Sequence, residues 1–359
     1  MDVTVDQILR FAVQQGVSDI HFKVGRPPVY RKDGKLIPHK GSFNIQPVHI
    51  KEWVAEMTDE RHVKLLRERG EVDFAYQIDG VARFRINAFQ QRDLVGMVMR
   101  IISTKVPRLS ELGLPAAVHK FTQLQRGLLL VTGTTGSGKS TTLAAILNEI
   151  NATRPAHILT IEDPIEFVHE DQRGIVNQRE VGQDTGSFAT GLRAALRQDP
   201  DVILIGEMRD AETIETALHA AETGHLVLST LHTLDAAETV SRVIGIFPPH
   251  HQAEVRKALG NVLQGIVSQR LIARKDKGRL AACEILVATD FIRECVWDPE
   301  KTAEIRSYIA KGQNTYGSQT FDQALVAHYR AGLITEQSVF EAATNPSDVR
   351  LLLSGIAGS

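Results

Sequence analysis

The chain has 359 residues, with 41 Lys and Arg against 43 Asp and Glu, and a formal net charge of −2 at pH 7. That length predicts two domains with a sizeable core, and the near balance of charge argues against general nucleic-acid binding and against attraction to an anionic membrane surface. Only two cysteines occur, Cys283 and Cys295, without paired zinc spacing, so a reducing compartment is expected and a structural metal is not.

The opening run Met1-Asp2-Val3-Thr4-Val5-Asp6 has no basic stretch before an apolar core and does not read as a signal peptide. No apolar run approaches the roughly twenty residues that cross a bilayer, so a soluble cytoplasmic protein is expected. Residues 1–105 read as a small mixed domain. Asp6–Gln15 is helical in pattern. His21–Val24 and Val29–Leu36 look like strands, with Lys32-Asp33-Gly34 as a turn, and Ile50–Arg69 looks like one charged amphipathic helix. Val81–Phe89 alternates: Ala82, Phe84, Ile86 and Ala88 share one face, Arg83, Arg85 and Asn87 the other. On periodicity alone such an arginine face is a solvated edge.

Residues 106–126 contain Pro107, Gly113 and Pro115, follow neither period, and read as an interdomain linker. From residue 127 to 359 short apolar runs alternate with helical stretches. The runs are Leu128–Val131, Ile158–Ile161, Val202–Ile205 and Leu226–Ser229. This order predicts an α/β domain, a parallel sheet with helices on both faces, ending in a helical region over about 290–359.

Between the first of these runs and the helix that follows stands Gly133-Thr134-Thr135-Gly136-Ser137-Gly138-Lys139-Ser140, with Thr141 next. The spacing is that of a P-loop. Backbone N–H groups of such a loop close around phosphate, and the following helix presents its positive end to the same anion. Lys139 would reach the β- and γ-phosphates of ATP, and the Ser140 hydroxyl would ligate Mg²⁺.

Ligands of a parallel sheet gather at the carboxyl ends of its strands. Glu162 and Glu166 follow the second run, Glu207 the third, and His232 the fourth, with His225 just before that fourth strand. Glu207 stands at a Walker B position whose usual aspartate is replaced by Gly206. It would act on Mg²⁺ directly or through water, while Glu162 and Glu166 would orient the attacking water. His225 and His232 read equally as structural histidines or as groups that touch the γ-phosphate.

Taken together, these segments resemble the secretion ATPases of type II secretion and type IV pili. Ile158–Phe167 resembles the Asp box, Leu192–Asp210 the atypical Walker B block, and Ala221–Thr233 the His box. Gly16–Asp33 and Val81–Gln91 resemble the family's PAS-like N-terminal domain, and Phe321–Arg350 its C-terminal helices. The resemblance implies a PAS-like α+β domain followed by a RecA-like ATPase domain, assembled as a homohexamer with ATP between the two domains of a subunit. It assigns arginine-finger positions to Arg85 and Arg100. It places the ring in the cytoplasm, peripheral to the inner membrane, on a pilus platform protein. The pilus-retraction branch is the better match, since the chain opens on the PAS-like domain and lacks the zinc cysteines of assembly ATPases. Of that branch's C-terminal Ala-Ile-Arg-Asn-Leu-Ile-Arg-Glu motif, the stretch Phe291–Asp298 keeps Ile292 and Arg293. The alternatives are a pilus-assembly or type II secretion ATPase, and a nucleic-acid translocase, which the few aromatics disfavour.

Overall fold

The computed structural model describes residues 4–32, 34–41, 43–102 and 106–354. Met1 to Val3 and Asp33 of the expected turn lie outside the described residues. The chain divides into two compact units, 1–105 together with Glu166–Val168, and 106–165 together with 169–359.

In the first unit α1 (Val5–Gln14) opens with a capping box, in which the Thr4 hydroxyl accepts from the Gln7 backbone N–H and the Gln7 side chain from that of Thr4. Then come β1 (Asp19–Phe22), β2 (Val29–Lys32), β3 (Lys35–Pro38), α2 (Pro47–Met57), α3 (Glu60–Arg69), β4 (Glu71–Ile78), β5 (Ala82–Gln91) and β6 (Leu94–Ile102). The strands form one antiparallel sheet in the order β3-β2-β1-β6-β5-β4. Where the sequence pattern gave one helix over Ile50–Arg69, there are two. Asp59 accepts from the His62 N–H at 2.9 Å and starts α3 afresh, because a short acidic side chain satisfies the orphan donors of a new helix better than it continues an old one. The alternation of β5 holds: Ala82, Phe84, Ile86 and Ala88 are buried among Ile20, Phe22, Met97 and Met99, while Arg85 is exposed.

The second unit begins with α4 (Ala116–Phe121). Leu109, Leu114, Ala117, Val118 and Phe121 are buried in its core. Residues 106–126 are therefore not a free linker, despite the Pro and Gly signals. Those residues bend the segment, but its apolar side chains have a core to enter. The strands are β7 (Gly127–Thr132), β8 (His157–Glu162), β9 (Ile175–Glu180), β10 (Val202–Ile205), β11 (Leu226–Leu231), β12 (Leu263–Ala273) and β13 (Arg279–Val287). Between them lie α5 (Lys139–Thr153), α6 (Phe188–Ala195), α7 (Ala211–Glu222), α8 (Ala236–Gly245) and α9 (Pro249–Val262). The sheet order is β13-β12-β7-β11-β10-β8-β9, parallel except where β13 runs against β12. β7 shows why the central strands read as unbroken apolar runs. Leu128 and Leu130 enter the core that packs α7, α8 and α9, while Leu129 and Val131 enter the opposite core against α5.

The chain ends in α10 (Asp290–Trp297), α11 (Ile305–Lys311), α12 (Gln313–Tyr316), α13 (Phe321–Arg330), α14 (Glu336–Ala342) and α15 (Pro346–Leu353). On α10, Ile292 is buried, and Arg293 donates to the carbonyls of Gly260 and Asn261 in the last turn of α9. A cation there complements the negative end of that helix. Among the described residues no helix is long and apolar enough to cross a membrane.

Candidate functional site

β7 ends at Thr132 and the chain turns at once through the glycine loop into α5. Gly136 and Gly138 have φ of 79° and 94°, a region that side-chain-bearing residues avoid, so the loop needs glycine to fold this way. Gly133 is needed for space. A Cβ on it would lie 2.5 Å from the Gln269 carbonyl and 2.5 Å from Ser137 Oγ. Thr134, Thr135 and Gly136 are exposed, Gly138, Ser140 and Thr141 half-buried, and Ser137 buried without a partner for its hydroxyl. Lys139 is 8 % exposed and its ammonium donates to the carbonyls of Gly133 (2.9 Å) and Thr134 (3.1 Å). The cation is thus held over the mouth of the loop.

Strand register sets what stands beside this loop. Thr132 is opposite Leu231, Ser229 opposite Ile205, and Ile205 opposite Ile161. Gly133, His232, Glu207 and Glu162 therefore lie along one edge of the sheet, on strands about 4.8 Å apart. The Glu207 side chain is 18 % exposed and pairs with Arg209 Nη2 at 2.7 Å and His232 Nε2 at 3.3 Å. Burial pushes its pKa up, but the Arg209 hydrogen bond and charge, with a smaller contribution from His232, hold it below the ordinary carboxylate value. Glu162 Oε1 accepts from Thr160 Oγ1 at 2.6 Å and Gln178 Nε2 at 3.0 Å, so this carboxylate is fixed in direction. A side chain at Gly206 would be tightly placed. A Cβ there would sit 3.3 Å from Glu162 Cα and 3.3 Å from the Ile161 carbonyl.

Not every expected residue joins this edge. His225 precedes β11 and so sits at the far end of that strand, on the order of 20 Å from His232 along a fully extended backbone. Its Nδ1 lies 2.9 Å from the Ala220 carbonyl and its own carbonyl accepts from the Gly127 N–H. That is the structural alternative, and it removes His225 from the end of the sheet that carries the glycine loop. Glu166 is exposed and lies in the segment 166–168 that groups with the first unit, as do Arg85 and Arg100. Arg209 was missed by sequence reasoning. Its neighbour Asp210 reads as part of the same charged loop but caps α7 by accepting from the Thr213 N–H at 2.8 Å. Asp19 was also missed. It faces Arg100 across β1 and β6, and Arg100 faces Arg85 across β6 and β5.

Residues 2–314 match the model of a family described as Type II/IV secretion system protein. A Pseudomonas aeruginosa protein named type IV pilus retractation ATPase PilT is 46 % identical over 97 % of this chain and 100 % of its own length. A Neisseria gonorrhoeae twitching motility protein is 48 % identical over 81 % of this chain and 78 % of its own. The crystal structure of the pilus retraction motor PilT with bound ADP superposes with a TM-score of 0.88 at 44 % identity, covering 97 % of this chain and 99 % of that one.

Proposed function

The chain belongs to the Type II/IV secretion system protein family, and from that premise we propose that it hydrolyses ATP to drive retraction of a type IV pilus. The observation that carries the chemistry is Lys139, buried and poised over a phosphate-binding loop, on the same sheet edge as an ionised Glu207. The direction of the motor rests on end-to-end similarity to a relative named for retraction and to a solved retraction motor.

In this reading the loop from Gly133 to Thr141 binds the nucleotide phosphates, and Lys139 neutralises charge that develops on the β- and γ-phosphates. Glu162 and Glu166 orient water. His232, in contact with Glu207, senses the γ-phosphate. Arg85 and Arg100 supply positive charge to the transition state in the assembled ring. A Mg²⁺ ion would be held by the Ser140 hydroxyl and by Glu207, and would offset phosphate charge. Mg²⁺ commonly keeps few protein ligands and takes the rest from phosphate oxygens and water. A homohexameric ring, a cytoplasmic place at the base of the pilus and docking on an inner-membrane platform protein belong to the same reading, supported by resemblance to secretion ATPases.

The test is to replace the chromosomal gene by its Lys139→Ala variant, then count surface pili and measure twitching. Excess pili with lost twitching is the expected result. Bald cells would mean that the motor assembles pili, and unchanged piliation and motility would detach it from the pilus.

A further inference from the structure

One row of side chains crosses the antiparallel sheet of the first unit. Arg31 on β2 is opposite Asp19 on β1, Asp19 opposite Arg100 on β6, and Arg100 opposite Arg85 on β5. Like charges directly across a sheet repel, so Arg85 beside Arg100 is a costly pair unless something offsets it. Asp19 is the acid in the row. Its side chain is 10 % exposed against 69 % for that of Arg100.

The pairing has an unusual form for an arginine and a carboxylate, which favour a two-point fork. Arg100 donates to Asp19 Oδ1 through Nε at 2.9 Å. The other oxygen, Oδ2, accepts from the Ser18 hydroxyl at 2.8 Å and lies 3.9 Å from Arg31 Nε. The carboxylate is thereby locked in rotation and presents a single oxygen to Arg100. Gripping a guanidinium by Nε fixes its stem while leaving the four N–H groups of Nη1 and Nη2, the ones suited to phosphate oxygens.

We propose that Asp19 is the positioning residue for Arg100, holding its guanidinium by Nε so that both terminal nitrogens are presented to the terminal phosphate of ATP. The inference rests on the reading of Arg100 as a group that reaches that phosphate. Physically, Asp19 would order a long exposed side chain before the reaction and so remove that ordering from the activation barrier. Desolvation works against an ionised Asp19, but the hydrogen bonds from Ser18 and Arg100 and the charges of Arg100 and Arg31 outweigh it and keep its pKa low.

Steady-state ATP hydrolysis by the assembled full-length protein tests this, with wild type, Asp19→Ala, Asp19→Asn, Arg100→Ala and the double variant Asp19→Ala/Arg100→Ala. Asp19→Ala is expected to lower kcat about 10- to 100-fold with KM changed by no more than about twofold, the size of a misplaced catalytic group. Asp19→Asn keeps an acceptor oxygen for Nε and should recover most of that loss. The double variant should match Arg100→Ala, since Asp19 acts only through that arginine. An additional loss on adding Asp19→Ala to Arg100→Ala would overturn the proposal, because Asp19 would then serve the fold or another group. Normal kcat in Asp19→Ala with low kcat in Arg100→Ala would overturn it too, leaving the role of Arg100 intact. Normal kcat in Arg100→Ala would instead remove the underlying reading. Should Asp19→Ala fail to fold, Ser18→Ala replaces it. Freeing the carboxylate to rotate should lower kcat about two- to fivefold at unchanged KM, and no change would count against the proposal.

Discussion

Arg209 Nη2 lies 2.7 Å from Glu207 Oε2 and holds the carboxylate that follows β10 at the carboxyl edge of the sheet. The pair sets the pH range in which Glu207 is ionised. Glu207 has a depressed pKa, so its charge persists well into acid and is lost as pH falls through that lowered value. Arg209→Ala removes the strongest influence in that direction. The acid limb of kcat, followed downward from neutral pH through the ordinary carboxylate value of 4.5, should therefore move to higher pH. An unmoved limb would mean that Glu207 does not control turnover.

Lys139→Ala deletes the buried ammonium and leaves the carbonyls of Gly133 and Thr134 without their donor. Phosphate release should fall by about 10²-fold or more, the scale of losing one preorganised charge at a transition state. Residual activity above about a tenth of wild type would refute the loop as the catalytic phosphate site.

The three glutamates should separate on conversion to glutamine. Glu207→Gln and Glu166→Gln are expected to keep ATP binding and lose turnover by about 10²-fold, because each acts through its charge on metal or water. Glu162→Gln should lose only about tenfold, since an amide oxygen can still accept from Thr160 and Gln178 in the same direction. Equilibrium nucleotide binding beside single-turnover hydrolysis checks all three. Normal hydrolysis in any of them makes that residue structural.

Glu284 on β13 gives a prediction about stability. It is buried, accepts from the Ala236 N–H at 2.9 Å, and has its pKa pushed up to about 7, first by burial and then by the nearby Asp235, against the pull of that N–H, Arg306 and Arg270. A raised carboxyl pKa means that the folded protein holds the proton more tightly than the unfolded chain. Stability from this group is then present in acid and declines as pH climbs from about 4.5 to about 7, by at most about 3 kcal/mol. Glu284→Gln should abolish that decline. The Tm of the variant minus that of wild type should rise across the window, and a flat difference would rule it out.

The parts of the site legible in the sequence were those where one residue type has one job. Buried parallel strands read as unbroken apolar runs, as β7 and β10 do, and a glycine loop between strand and helix has few other uses. β9, β12 and β13 were not legible. β9 reads Ile175-Val176-Asn177-Gln178-Arg179-Glu180, an edge strand whose Ile175 is exposed, so no apolar run announces it. β12 places Gln269 and Arg270 among its apolar residues because they bond to other elements, Gln269 to Thr142 of α5 and Arg270 to the Ala342 carbonyl. His225 and His232 sit seven residues apart, before and after the run Leu226–Ser229, so the sequence already placed them at opposite ends of that strand. Asp19, by contrast, was invisible. An acid's partners across a sheet depend on register, and register comes from strands the alternation did not reveal.

The glycine at position 206 limits where a second acid can stand. Acquiring an aspartate there by a single substitution would push a methylene against Glu162 Cα and the Ile161 carbonyl, both main-chain atoms of β8, and β8 is pinned on its two sides by β10 and β9. Those neighbours would have to yield by a few tenths of an ångström before the new carboxylate offered any benefit. An aspartate at this position is therefore tied to a small shift of β8 or β10. The charge at this edge is more readily tuned through the partners of Glu207, Arg209 and His232, than by relocating it to residue 206.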